Sequence, residues 1–212
     1  MMKKSILIVI LFGVIAAGCR GSGPGGPETR PTPISAPASE GGGSPEEGGG
    51  VGQAVALRLW FQQSDTFQTA YQALADAYSA ANPGVTVTLE SFDVSTYGAT
   101  IQQSLTEGTA ADIIQMPGGT LCVYNTALAA APPPVMAFNP QAAFDPLLLG
   151  GFLCDGALYG LPQEISVPWG LAVSGSSAAV DVAWDFVRFA ALDPTNAAAW
   201  NAATQTTGAI SN

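Results

Sequence analysis

From Val55 to Phe61 apolar and polar positions alternate. Val55, Leu57, Leu59 and Phe61 share one face and Arg58 interrupts the other, which is the two-residue period of a strand. Phe67, Tyr71, Leu74 and Tyr78 then recur at helical spacing and predict a helix capped by Asp65 and running to about Ala81. Asn82-Pro83-Gly84 stops it, since proline lacks the N–H and glycine accepts a left-handed turn. Val85, Val87 and Leu89 alternate with Thr86 and Thr88 as a second strand. Tyr97, Ile101 and Leu105 mark a second helix ending near Gly108, and Asp112 to Met116 is a short apolar strand. Strand and helix thus alternate with short connections, the signature of an α/β fold whose strands run parallel with helices packed on the sheet.

Beyond Met116 the pattern predicts a helix over Leu121 to Ala130 and a stiff extended segment at Pro132-Pro133-Pro134. A short helix follows from Asp145-Pro146, and Ala157 to Leu161 and Trp169 to Val173 read as strands. A helix from Ser177 to about Ala191 and a shorter one after Asp193-Pro194-Thr195 close the chain. Tyr71, Tyr78, Trp184 and Trp200 are expected to pack in the core.

The N-terminus carries a different pattern. Lys3 and Lys4 precede an apolar run from Ile6 to Ala17 that stops at Ala16-Ala17-Gly18-Cys19, the order of a secretory signal. A hydrocarbon core of ~30 Å takes about 20 residues to cross, so a membrane-spanning anchor is the poorer reading. The small residues before Cys19 resemble a bacterial lipobox, with Ala16 standing where leucine is usual. That resemblance implies a lipidated (palmitate-bearing) Cys19 at the start of the mature protein; plain secretion with an incidental cysteine is the alternative. The expected organisation is a lipoprotein signal peptide over 1–18, Cys19 with a Gly/Pro/Ser/Glu-rich tether over 19–52, and one α/β domain over 53–212. That length holds one core of ordinary size and is short for two.

Charge narrows the partners. The chain has six basic and sixteen acidic residues, and only Arg58 and Arg188 are basic within the domain. Nothing there could neutralise phosphates, so no nucleic acid or anionic lipid partner is expected. Histidine is absent, which removes Ser-His-Asp and Cys-His catalysis and histidine-ligated zinc together. No cofactor or metal is expected. Cys122 and Cys154, in an exported chain, read as a disulfide before two free thiols.

Three stretches carry a resemblance to the extracellular solute-binding proteins of ABC importers, in the carbohydrate group that includes maltose-binding protein. They are Leu57-Arg58-Leu59-Trp60-Phe61 through to Asn82-Pro83-Gly84-Val85-Thr86-Val87, then Gly108 to Met116, then Asp155-Gly156-Ala157-Leu158-Tyr159-Gly160-Leu161-Pro162. Trp169 to Ser174 followed by Ala183-Trp184-Asp185-Phe186-Val187 resembles the family's closing strand and helix. The resemblance implies a periplasmic-binding-protein-like lobe, a mostly parallel sheet with helices on both faces. It also implies a sugar or oligosaccharide ligand, ABC permease subunits as partners and an extracytoplasmic place on the cell membrane. Where that family carries a large second lobe, only Gln163 to Pro168 stand here, so the second lobe is largely missing. A shortened, non-binding relative acting as a surface interaction domain, or a degenerate gene product, is the alternative function.

Ligands of open α/β sheets meet the carboxyl ends of the strands. The candidates there are Trp60, Phe61 and Gln62 after the first strand; Gln115, Met116, Gly118, Gly119 and Thr120 after the third; and Gln163 and Glu164 after the crossover strand. Trp60 is either an aromatic platform for a sugar or a core residue at a strand end. Gln115 and Gln163 could orient hydroxyls, and Gly118-Gly119 either admits a ligand or forms a turn. Glu164 could bind a hydroxyl or act as a glycosidase carboxylate with Asp112 or Asp155. Asp112 opens its strand and belongs at the opposite end of the sheet, so no enzymatic activity is expected.

Overall fold

The computed structural model of the protein describes residues 54–165, 168–206 and 209. The chain divides into two units, Met1–Gly48 and Gly49–Asn212, and every described residue belongs to the second. The predicted signal peptide, Cys19 and the linker to residue 52 lie outside the described residues. No helix among the described residues is long and apolar enough to cross a membrane.

The domain opens with β1 (Val55–Gln62), α1 (Asp65–Ala81), β2 (Val85–Phe92), α2 (Val94–Glu107) and β3 (Ile113–Pro117). β1 pairs parallel with both β2 and β3. Asp65, expected to cap α1, is instead its first residue. Ser64, extended at φ −161°, is the N-cap, and Asp65 meets the positive end of the helix dipole. The Asp93 carboxylate accepts a hydrogen bond from Ser95 N at 2.8 Å to start α2, and Gly108 at φ 67° ends it in the left-handed region. On one face of the sheet Tyr71 of α1 packs on Phe61, ring centroids 5.0 Å apart, and on the other Tyr97 of α2 stacks on Phe92 at 6.0 Å. Helices therefore cover both faces.

After β3 long-range pairing overrides local preference. The helix expected over Leu121 to Ala130 is replaced by short 3-10 turns at Gly118–Val123 and Asn125–Ala127 and by strand β4 (Leu128–Ala129). Partnership with a distant strand outweighs the weak helical preference of the run. The triple proline is extended only at Pro132. Pro133 and Pro134 occupy the first turn of α3 (Pro133–Met136), where a missing N–H leaves no helical bond unmade. α4 (Pro140–Ala143) and α5 (Pro146–Gly150) follow, the latter capped by Asp145, which accepts from Leu147 N at 2.8 Å. The strand expected over Ala157 to Leu161 is divided. β5 (Leu153–Cys154) and β6 (Ala157–Leu158) form a hairpin whose turn, Asp155-Gly156, has φ of 51° and 82°, and β7 (Gly160–Pro162) begins after Tyr159. β8 (Trp169–Ser174), α6 (Val180–Leu192) and α7 (Pro194–Thr204) complete the fold.

β8 is antiparallel to β3 on one side and, on the other, to β7 along Gly170–Ala172 and to β4 along Val173–Ser174. Five of the sheet's six strands thus share one direction and β8 alone opposes them, in a mostly parallel α/β sheet. Only Gln163–Pro168 connects β7 to β8. A disulfide joins Cys122 to Cys154, Cα atoms 5.3 Å apart, and so pins the segment that carries α3, α4 and α5.

Phe152, fully buried, shapes the core beside β8. A Cβ on Gly118, Gly160 or Gly170 would stand 2.7, 2.9 or 2.5 Å from its ring, and one on Gly170 would also strike the Leu161 carbonyl oxygen. The ring sits in a socket that only glycines leave open. Phe152→Ala should lower unfolding stability by ~3–5 kcal/mol through the cavity it leaves. Gly170→Ala should cost at least ~1–3 kcal/mol by overpacking. Denaturant titration checks both, and unchanged midpoints would contradict the socket.

Candidate functional site

Because β8 runs against β3, its first residue lies at the same edge as the last residue of β3: Trp169 is opposite Pro117. The carboxyl ends of β1 and β3 and the start of β8 meet there around an open groove of about 130 Å³. Gln62, Met116 and Pro117 come from the two strand ends, and Tyr97, Gly98 and Ile101 from α2. Thr120, Tyr124 and Trp169 complete the lining. Trp169 and Tyr124 are half-buried, so each keeps part of its ring accessible, and Thr120 is exposed at the rim. The Tyr97 hydroxyl shares its one proton between the carbonyl oxygens of Trp60 and Gln115, at 2.9 and 2.8 Å, which holds α2 against β1 and β3. Burial drives its pKa well above the usual tyrosine range, so it stays a neutral donor. No charged side chain lines the groove.

The residues anticipated from the sequence divide between the sheet's two faces, as alternation along a strand requires. Gln62, Met116 and Thr120 line the groove. Trp60 does not: its indole is buried against Phe92 at 4.9 Å and donates to the Glu90 carboxylate at 2.8 Å, beneath the Arg58 guanidinium. Arg58 also pairs with Glu90 at 2.8 Å and holds that carboxyl below its usual pKa range. Phe61 is fully buried on the α1 face. Gly118 serves Phe152 and donates its N–H to Pro168 O at 2.7 Å, while Gly119 is exposed in the turn.

Gln115, Gln163 and Glu164 are interior residues on the α1 side. Gln115 lies within β3 rather than after it, and its Oε1 accepts from Gln62 N at 3.0 Å. Gln163 Oε1 accepts from the Tyr71 hydroxyl at 2.8 Å. Gln115 Nε2, Gln163 Nε2 and Glu164 Oε1 have no hydrogen-bond partner among the described residues. Beside Gln163 and Trp200 is a cavity of about 10 Å³, room for one water and no larger ligand. Asp112 sits at the other end of the sheet, accepting from Arg58 N at 2.8 Å and from Ser177 Oγ, and Asp155 is in the β5–β6 turn. The three carboxylates do not converge.

Trp169, Tyr124 and Tyr97 are the aromatic groove residues that the sequence did not single out as site candidates. Trp169 could have been found only by knowing that β8 is reversed, and Tyr124 only by knowing that residues 118–127 are not a helix.

Burial raises the Glu164 pKa above its ordinary value of 4.5. The folded state then binds this proton more tightly than the unfolded chain. Its favourable contribution is complete below about pH 4.5 and is lost as pH rises through the folded value. Glu164→Gln should be the more stable form above that window and should lose the wild type's decline within it, read as the difference between two pH series of denaturant midpoints. Parallel curves would refute the assignment.

No family model and no curated protein matches the chain. Several solved structures are similar to part of it. An extracellular solute-binding protein family 1 member from Alicyclobacillus acidocaldarius is 21% identical over 53% of this chain and 28% of its own, with a TM-score of 0.45. The maltose/maltodextrin-binding domain MalE from Bdellovibrio bacteriovorus, bound to maltotriose, is 18% identical over 51% of this chain and 28% of its own, TM-score 0.45. The GacH receptor of Streptomyces glaucescens, known unliganded and with acarbose, is 17% identical over 52% of this chain and 29% of its own, TM-score 0.48. The chain is thus similar to extracellular solute-binding proteins over about half of its length and spans less than a third of theirs.

Proposed function

We propose that the protein is the solute-binding lipoprotein of an ABC importer, held to the outer side of the membrane through lipid on Cys19, and that its ligand is a neutral carbohydrate. The groove at the carboxyl edge carries this reading. In a chain of net charge −10, its lining has no charged side chain and pairs the rings of Trp169 and Tyr124 with the amide of Gln62 and the hydroxyl of Thr120. Sugars present apolar C–H faces and hydroxyl edges, and this set matches both. Anionic sugars fit poorly. Arg58 is spent on Glu90, and Arg188 on Asp185 at 2.7 Å and on the Phe138 ring, leaving no other cation in the described domain. Resemblance of the β1–β3 segments to sugar-binding proteins of importers adds the permease subunits as partners.

A groove open on one side leaves a ligand partly solvated, so binding should be weak, ~1 mM or poorer, equivalent to about 4 kcal/mol. Titration with neutral sugars should move the NMR signals of the Gln62 amide and Trp169 indole, Trp169→Ala should abolish the effect, and uronic acids should be inert. Silent signals across a broad sugar panel would sink the reading and leave a surface interaction domain in its place.

The anchor is tested separately. Cys19→Ala should release the protein from membranes into the aqueous phase. Retention of the variant would assign anchoring to the apolar run instead.

A further inference from the structure

The stretch from Gly118 to Ala127, which brings Thr120 and Tyr124 to the groove, is tied down at few points. Its own hydrogen bonds are local: Thr120 Oγ1 donates to Pro117 O at 2.8 Å, Tyr124 N to Leu121 O at 2.9 Å and Ala127 N to Tyr124 O at 2.8 Å. Among the described residues, the backbone bonds that leave the stretch lie at its two ends, from Gly118 N to Pro168 O at 2.7 Å and from Gly175 N to Ala127 O at 2.8 Å. Turns of the 3-10 kind are weak by themselves. Between those ends the buried Leu121 and the half-buried Tyr124 supply apolar contact, and the disulfide from Cys122 to Cys154 is the covalent tie. Cys122 stands two residues from each of the groove residues Thr120 and Tyr124. The two ends of the bridge differ in access: Cys122 is exposed, whereas Cys154, in the β5–β6 hairpin, is only 3% exposed.

We infer that this disulfide is a thiol-exchange site that controls the groove: a dithiol, small or carried by a protein, opens it from the Cys122 side and releases the Tyr124 wall while the sheet stays folded. The inference concerns the shape of the groove and is independent of the ligand it holds. A thiolate of the reagent attacks the accessible Cys122 sulfur, the S–S bond breaks, and its electron pair passes to the Cys154 sulfur, which takes up a proton. With the two Cα atoms 5.3 Å apart, Cys154 stays within reach of the mixed disulfide on Cys122 and can re-form the bond. A single thiol is therefore expelled again. A dithiol completes the reaction: its second thiol attacks its own sulfur in the mixed disulfide, frees Cys122 as a thiol and leaves the reagent as an internal disulfide. Two electrons pass from the reagent to the protein. Strands β1, β2, β3 and β8 and helices α1, α2 and α6 all lie outside the bridged interval 122–154. Inside it Phe144, Leu149 and Phe152 stay buried in the core, so opening the bridge loosens its ends rather than the domain.

The experiment treats the full chain, without denaturant, with dithiothreitol and, at the same thiol concentration, with 2-mercaptoethanol. Iodoacetamide then marks the freed thiols, and peptide mapping separates Cys122 and Cys154 from Cys19. Dithiothreitol should free both cysteines, at least about ten-fold more completely than 2-mercaptoethanol does. The NMR signals of the Tyr124 ring and the Trp169 indole should shift as the bridge opens, those of Trp184 and Tyr71 should hold, and reoxidation should restore the starting spectrum. Cys122→Ser combined with Cys154→Ser should show the reduced spectrum and ignore dithiothreitol; if that variant does not fold, the treated wild type decides alone. Thiols freed only in denaturant would overturn the inference and leave an inert cross-link. Opening with Tyr124 and Trp169 unmoved would overturn control of the groove. Opening with loss of the Trp184 signal would overturn it as well, the bridge then holding the whole domain. Equal opening by the two reagents would overturn the requirement for a dithiol.

Discussion

The reversal of β8 is the constraint on which the rest of the domain depends. Running against its neighbours, it is held by β3 along one edge and by β7 and β4 along the other. At the amino edge of the sheet Ser174 N donates to Asp112 O at 2.9 Å, and the Asp112 carboxylate in turn takes Arg58 N and Ser177 Oγ. At the carboxyl edge the same strand delivers Trp169 to the groove. One strand therefore fastens both ends of the sheet. It can do so only because Gly160 and Gly170 let two backbones and the Phe152 ring share one small volume. Side chains there would push β7 from β8, and with β7 would go the connection that sets where Trp169 begins.

The first half of the domain was legible because its signals are local. Val85, Val87 and Leu89 alternate, Tyr97, Ile101 and Leu105 keep helical spacing, and Gly108 stands where the helix ends in the left-handed region. Such signals report period and punctuation, and the structure follows them within a residue or two. What they do not report is which distant strand a segment meets. Residues 121–130 read as helix because alanine and leucine favour one locally, yet Leu128 and Ala129 pair with Ser174 and Val173, some forty-five residues on. The candidate site suffered from the same limit. Gln115 and Met116 are adjacent in sequence and both lie in β3, but alternation sends Met116 to the groove and Gln115 to the interior. Trp60 was the natural aromatic candidate on β1, and Glu90, its register partner on β2, engages it instead.

The two glutamates singled out by their surroundings show how burial and pairing divide the same chemistry. Glu90 is half-exposed and receives hydrogen bonds from both Arg58 and Trp60, so its charged form is favoured. Glu164 is buried with one carboxyl oxygen unpartnered among the described residues, so its charged form is disfavoured. Near Glu164, Tyr71 donates to Gln163 Oε1, and burial raises the tyrosine's own pKa well above its usual range. That interior lies on the α1 face, behind the sheet from the groove. It reaches the groove through Gln115 Oε1, which accepts from Gln62 N at 3.0 Å and so fixes the end of β1.

On the carbohydrate reading proposed above, recognition would rest on the groove's own composition. A negatively charged domain repels anions at long range and offers no steering to neutral molecules, so a neutral ligand arrives by diffusion and is held by contact alone. Contact on one open surface is limited at any single point: Trp169 and Tyr124 can each cover one ring face, and the opposite face stays in water. Two-sided enclosure would remove that limit, and the six residues between β7 and β8 are too few to build a second lobe. A groove walled on one side therefore limits the affinity for whatever it holds, which is why the binding proposed above is weak.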